Sequence, residues 1–367
     1  MDALTEAAAV NAATPGMTAW GNEAWLNLTE ANGTNLTESC EAHSADFQYL
    51  MLPIVYSIVF VLSMIGNLTA LAHFLHSQSV TQPSHVFLVN LCAIDLLFTL
   101  TLPLNVLYHV GHNHWPFGEE ACKVNGALFF GNLYGSSLFL MLISLDRYLA
   151  VVHPLRALRL RHPKYRILIS CSVWLALISV ILYLTLRVPA TRPFPSGLIA
   201  CMENFSSDSW HGRVSAVILL ASVLSFFLPL SVIATCYPLI ACRLLSRQAE
   251  DSEAGGGVSA QRGSRRMRRR ALRMVLLVLA VFLLCFTPYH LNQLLHTLAR
   301  MDVLAGCPIL RFTYPMRRIT MALCSFNACL DPLVYCLASE SFQWRQAWRC
   351  CRCDRVSKRL RQTVGRG

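Results

Sequence analysis

The sequence predicts an all-α membrane protein, a bundle of seven membrane-crossing helices followed by a short cytoplasmic amphipathic helix. Three observations carry that prediction. Of 367 residues, 54% are hydrophobic and only 14% are charged, with a mean hydropathy of +0.45, whereas soluble domains carry about 25% charged residues. Seven apolar runs are each long enough to cross a hydrocarbon core, which takes about 20 residues. Lys and Arg are absent from the first 48 residues but gather after the third run, between the fifth and sixth, and in the tail.

The runs occupy residues 49–75, 84–108, 119–150, 165–187, 213–245, 270–299 and 310–337. The first opens with "YLMLPIVYSIVFVLSMIGNLTALAHF" and the sixth with "ALRMVLLVLAVFLLCFTPYHL". Lipid offers no partner for a peptide N–H or C=O, so runs of this length must be helical. The placement of Lys and Arg sets the N-terminus outside and the tail inside. The first connection, "HSQSVTQPSH", has neither residue and departs from the rule without reversing it.

No basic n-region with a short apolar stretch opens the chain, so the first run reads as an uncleaved signal anchor. Asn27, Asn32 and Asn35 each head an Asn-x-Thr triplet in the polar N-terminus, and Asn204 heads an Asn-x-Ser; all four are expected glycosylation acceptors. The same pattern at Asn67 lies inside the first run and is discounted. No long internal repeat or soluble domain is visible. The expected division is an extracellular glycosylated segment at 1–48, a seven-helix domain at 49–338, and an amphipathic helix with cytoplasmic tail at 339–367.

Of fifteen cysteines, Cys40, Cys122, Cys201 and Cys307 fall on the outer side, where disulfides persist. The pairs expected are Cys122–Cys201, from the top of span three to the second outer loop, and Cys40–Cys307, from the N-terminus to the third. Cys350, Cys351 and Cys353 follow "SESFQWRQAWR", a basic amphipathic stretch next to the membrane. Palmitoylation and unmodified thiols are equally open there.

Asp146, Arg147 and Tyr148 interrupt the third run at its inner end, and Arg156, Arg159, Arg161, Lys164 and Arg166 follow. Alone, Arg147 reads as readily as a snorkelling interfacial arginine. Together with "GNLTAL", "NLCAIDLL", "DRYLAVVHP", Trp174, Pro229, Tyr237, "CFTPYH" and "NACLDPLVY", the triplet resembles the rhodopsin-like family of G-protein-coupled receptors across residues 49–350. The resemblance implies a multi-pass plasma-membrane receptor that activates heterotrimeric G proteins, contacts membrane lipid and engages arrestin. Cys122 and Cys201 match the family's bridge. Arg147 is then held by the neighbouring acid at rest and freed when span six swings outward, with Tyr148 beside it. Tyr237 and Tyr335 stabilise the open form. Phe282, Phe286 and Pro288 form the packing switch and kink of span six, and Asp331 and Pro332 belong to the corresponding motif of span seven. Asp95, Asn132, Ser136, Asn327 and Asp331 can converge on one interior point. Buried ionisable groups in a membrane carry function, and the family precedent is an allosteric sodium ion, the sole cofactor expected; a water-bridged packing network is the alternative. "DPLVY" occurs in the purinoceptor-like branch.

Within that branch, "GHNHWPFGEEAC", "LRLRHPKY" and "RITMALCSFNACLDP" resemble nucleotide and cysteinyl leukotriene receptors, whereas "CMENFSSDSWHGR" and "YGSSLFLMLISLDRY" resemble lysophosphatidic acid receptors. Both groups take an anionic head. Lys123, Arg187, Arg192, Arg213, Arg300, Arg311, Arg317 and Arg318 supply cations on the outer side. Arg317 or Arg318 is expected to hold the anion by a bidentate contact, with Arg187, Tyr108, Phe130, His290 and Gln293 completing the site. Gln293 stands where nucleotide receptors often carry a cation three residues after the histidine, which weakens the nucleotide reading.

Other classes fare worse. His109, His112 and His114 suit proton sensing or metal binding, but ordinary loop polarity beside Trp115 explains them better. A transporter or channel lacks the expected inverted repeats with broken helices. No phosphate-binding Gly loop, zinc-spaced His pair or nucleophile elbow suggests an enzyme. The run "RGSRRMRRRALR" abuts span six, so anionic lipid and G protein explain it better than nucleic acid.

Overall fold

A computed structural model describes residues 45–76, 85–159, 162–187, 189–193, 197–203, 212, 214–253, 258–304 and 307–338. The chain divides into Met1–Ser39 and Cys40–Gly367, and every element below belongs to the second unit. The expected acceptors Asn27, Asn32, Asn35 and Asn204, together with Cys40, Cys350, Cys351, Cys353 and the amphipathic helix, lie outside the described residues.

Among the described residues, seven helices are long and apolar enough to cross a membrane: Gln48–Leu75, Val86–Val110, Gly118–Val152, Pro163–Arg187, Ser215–Ser246, Ala271–Arg300 and Cys307–Cys336. They match the seven apolar runs to within a few residues and are called spans one to seven. A short helix, Pro154–Arg159, joins spans three and four. The two strands β1, Thr191–Pro193, and β2, Ile199–Cys201, pair antiparallel between spans four and five. Large apolar side chains such as Leu50, Ile58, Leu168, Leu175 and Leu186 face outward, while Asp95, Asn132, Asn327 and Asp331 are buried among the helices. Lipid in place of water explains this inversion.

Spans two, five and six depart from regular helix beside a proline. Span two breaks after Thr99 and resumes at Leu102, with Pro103 in the first turn of the new segment. Span five carries a π-helical turn at Val223–Phe227 just before Pro229, and span six one at Phe282–Phe286 just before Pro288. A proline has no N–H for the carbonyl four residues back. In span five that carbonyl belongs to Ser225, and the Ser137 hydroxyl of span three donates to it. In span seven Pro332 leaves the carbonyl of Ala328, which accepts from Asn67 Nδ2 of span one at 2.9 Å. Pro332 can come this near because span one presents a glycine: a Cβ on Gly66 would lie 2.7 Å from Pro332 Cγ.

Candidate functional site

A disulfide joins Cys122, in the first turns of span three, to Cys201 at the end of β2. Cys307 is also disulfide-bonded. The strand pair is fixed to the bundle by the Trp115 N–H, which donates to the Ile199 carbonyl at 2.9 Å, and by the Cys201 N–H, which reaches the Tyr108 hydroxyl at 3.4 Å. Beyond the bridge, Met202 adopts φ +56°, a left-handed conformation that disfavours side chains other than glycine. Its side chain packs directly on Gly126 of span three: a Cβ there would lie 2.6 Å from Met202 Cε and would push that side chain aside.

Glu203 comes next. Its carboxylate takes a two-pronged contact from Arg318, Nη1 to Oε1 and Nη2 to Oε2, both at 2.6 Å. Both side chains are nearly withdrawn from solvent, at 4% and 12% exposure, and the guanidinium also lies 5.4 Å from the Tyr314 ring centre. Burial pushes the Glu203 carboxyl up, but the charge and hydrogen bonds of Arg318, with help from Arg317 and His109, outweigh it and hold the group below its ordinary value. The pair is therefore ionised at neutral pH, and the segment after the bridge is tied to span seven.

Two cavities meet beneath this segment. The larger, about 200 Å³, is lined mostly by apolar groups of spans three to six, among them Phe130, Tyr134, Leu177, Ile181 and Tyr289. The smaller, about 50 Å³, is bordered by Asn105, Tyr108, His109, Asn125, Glu203 and Arg318. Arg317, Phe130 and Met202 line both. Arg317 Nε is buried without a hydrogen-bond partner among the described residues, whereas Lys123 at the larger cavity is paired with Glu119 and Glu120 at 3.2 and 3.1 Å.

Of the expected ligand residues, Tyr108, Phe130, Gln293, Arg317 and Arg318 line these cavities. His290 lines neither; it is buried flat against Phe226, ring centres 4.7 Å apart. Arg187 is exposed at the end of span four and also lines neither. Sequence reasoning passed over Glu203, Met202, Asn105 and Asn125. An acid two positions after a loop cysteine was the one available signal, and it did not name Arg318.

In mid-bundle, Asn132 Nδ2 donates to Asp95 Oδ1 at 2.8 Å and to Ser136 Oγ at 3.0 Å. The Ser136 hydroxyl reaches Asp95 Oδ1 at 3.3 Å, and the Tyr335 hydroxyl lies 3.1 Å from Asp95 Oδ2 and 3.2 Å from Asn67 Oδ1. Asp331 interacts electrostatically with Asp95. Asp331 and Asp95 share a side-chain hydrogen bond, and the Asn327 amide has no hydrogen-bond partner among the described residues. Two adjoining buried acids need a shared proton or a cation between them, and this set of oxygen donors suits either.

At the end of the bundle opposite the disulfide, Asp146 is engaged by Arg166 of span four, Nε to Oδ1 at 2.9 Å, with a second contact from Nη2. The acid expected to hold Arg147 thus has another partner, because the first turn of span four brings a guanidinium to its side. Tyr148 reaches His153 Nε2 at 3.2 Å, and the Tyr237 hydroxyl meets Ser144 Oγ at 2.7 Å. Phe282 stacks on Phe226 at 5.9 Å and tilts against Phe286 at 5.2 Å.

The profile of a family described as "7 transmembrane receptor (rhodopsin family)" matches residues 66–335. The chain is similar to lysophosphatidic acid receptor 4 of Homo sapiens, 33% identical over 318 residues that cover 87% of this chain and 80% of that one. It is similar to the uracil nucleotide/cysteinyl leukotriene receptor of Homo sapiens, 35% identical over 288 residues, 78% of this chain and 73% of the relative. With lysophosphatidic acid receptor 6 of Gallus gallus it shares 30% identity over 306 residues, 83% and 95% of the two chains.

Proposed function

The chain belongs to the rhodopsin family of G-protein-coupled receptors, multi-pass proteins of the plasma membrane, and from that premise we propose that it binds a small anionic extracellular ligand of the nucleotide or cysteinyl leukotriene type. The observation that carries this reading is Arg317, a cation where the two cavities meet whose buried Nε has no hydrogen-bond partner among the described residues. A guanidinium drawn partly out of water gains from an anion that meets it directly, and an anionic ligand supplies that contact.

A second reading is favoured by the larger cavity. Its lining is almost wholly apolar, which suits a ligand with a hydrocarbon body below its head, as in a cysteinyl leukotriene or a lysophospholipid, better than a nucleotide's sugar and base. The N-terminus then faces outward, glycosylated at Asn27, Asn32, Asn35 and Asn204, and Cys40 pairs with Cys307. Arg147, Tyr148, Tyr237 and Tyr335 serve coupling, as do Phe282, Phe286, Pro288, Asp331 and Pro332. Asp95, Asn132, Ser136, Asn327 and Asp331 hold a sodium ion that favours the resting form. Cys350, Cys351 and Cys353 carry lipid, arrestin binds the active state, and no enzymatic step is assigned.

The test is a screen of uracil nucleotides, cysteinyl leukotrienes and lysophosphatidic acids for G-protein activation in cells expressing the chain. A response to at least one class supports the reading, with Arg147→Ala abolishing it at matched surface expression. Silence from all three overturns it.

A further inference from the structure

Adjacent residues on a helix point about 100° apart, and Arg317 and Arg318 have correspondingly different partners. Arg318 is buried, and each of its Nη groups donates to one oxygen of Glu203. Arg317 borders both cavities and feels the Glu203 charge, but among the described residues it makes no ion pair like that of Arg318 and its Nε has no hydrogen-bond partner. The remaining cation of the larger cavity, Lys123, is paired with two glutamates of its own helix. Two adjacent arginines could grip two phosphate groups, but one of them already holds a carboxylate supplied by the chain.

We propose that Glu203 is a positioning residue that sets ligand charge: it occupies Arg318 as an internal anion, leaves Arg317, among the described residues, as the cation offered to the ligand, and fits the site to an amphiphile with a single anionic head instead of a polyphosphate. This rests on the proposed anionic ligand and narrows its class. Two anchors immediately before Glu203 hold the carboxylate in place. The Cys122–Cys201 bridge fixes the chain two residues before it, and Met202, in its left-handed conformation over Gly126, fixes the residue immediately before it. The apolar volume beside Arg317 takes the ligand's tail.

The inference is tested on the purified full-length chain in neutral micelles, with dodecyl phosphate as the single-headed amphiphile and inorganic pyrophosphate as the polyanion. Half-saturating concentrations are read from the rise in unfolding midpoint that binding produces. The wild type should respond to dodecyl phosphate and not to pyrophosphate. Arg317→Gln should weaken dodecyl phosphate by about tenfold or more, the effect of one charge-assisted contact. Glu203→Gln should gain pyrophosphate binding, a gain that lost packing cannot produce, and Glu203→Asp should not. The double variant E203Q/R318Q should lose that gain and bind dodecyl phosphate within about threefold of wild type.

If Glu203→Gln fails to fold, the double variant carries the test, since it removes both charges and strands neither. A tenfold loss of dodecyl phosphate binding there would place the ligand on Arg318 and overturn the inference. So would pyrophosphate binding by the wild type, no gain in a folded Glu203→Gln, or no stabilisation of the wild type by dodecyl phosphate. G-protein activation is not read, so a failed agonist screen would sink the proposed function without touching this comparison.

Discussion

Arg318 and Glu203 illustrate what one buried ion pair does in a loop with little regular structure. Removing one partner of such a pair strands the other charge, which typically costs about 3–5 kcal/mol. Arg318→Ala is therefore expected to lower surface expression and the unfolding midpoint sharply, and Glu203→Gln combined with Arg318→Gln should restore most of both. Equal destabilisation by the single and double variants, measured by thermal unfolding of purified protein, would mean that the stranded charge is not the cause. None of this was legible in the sequence. The two arginines stood out as a pair, but which one faces inward depends on the rotation of span seven, and the partner of the buried one sits in a loop whose path is set by a disulfide and a left-handed residue.

The spans themselves were far more legible. Apolar length alone located all seven, because a hydrocarbon core imposes a minimum run whatever the tertiary contacts. The proline breaks were half legible: Pro288 signalled a bend in span six, but the π turns at Val223–Phe227 and Phe282–Phe286 and the partners of the freed carbonyls were not. Those partners, Ser137 for Ser225 and Asn67 for Ala328, come from other spans and follow from how the helices are rotated against each other. Ser137→Ala should lower stability modestly, by about 0.6 kcal/mol and at most roughly 1.7 kcal/mol, the range for interhelical hydrogen bonds in a folded membrane protein. Asn67→Ala should cost more, since that side chain also bonds Ser63 and lies against the Tyr335 hydroxyl. Unfolding midpoints of the two variants in one detergent give the ranking, and the reverse order would contradict it.

Across the whole molecule, signalling is a shift between two arrangements, and a ligand moves the balance only by its differential affinity for them. Two polar contacts bias that balance here. The Asp146–Arg166 pair gives the acid a partner on span four, so Arg166→Gln should leave the acid more fully to Arg147, favour the resting form and lower ligand-independent G-protein activation. An increase in basal activity would reverse the assigned direction. Asp95→Asn removes a carboxylate from the mid-bundle network, and sodium should then no longer lower agonist affinity; unchanged sodium sensitivity in competition binding would count against a cation there. The convergence of Asp95, Asn132 and Ser136 was readable from spacing along two spans, because helical periodicity fixes which residues share a face. The pairing of Asp146 with Arg166 was hidden by the density of arginines after span three, any of which could have been the partner.

In the proposed function Arg317, at the junction of an apolar cavity and a polar one, meets the anionic head of an extracellular ligand whose binding activates a G protein. Dose–response curves of G-protein activation for wild type and Arg317→Ala, at equal surface expression and with whichever agonist the three-class screen yields, test it most directly. Loss of one charge-assisted contact, about 1.5–3 kcal/mol, predicts a shift of roughly ten- to hundredfold to higher concentration with the maximal response preserved, and Arg317→Lys should recover only part of it because the ammonium lacks the planar fork. Coincident curves for wild type and Arg317→Ala would contradict the account.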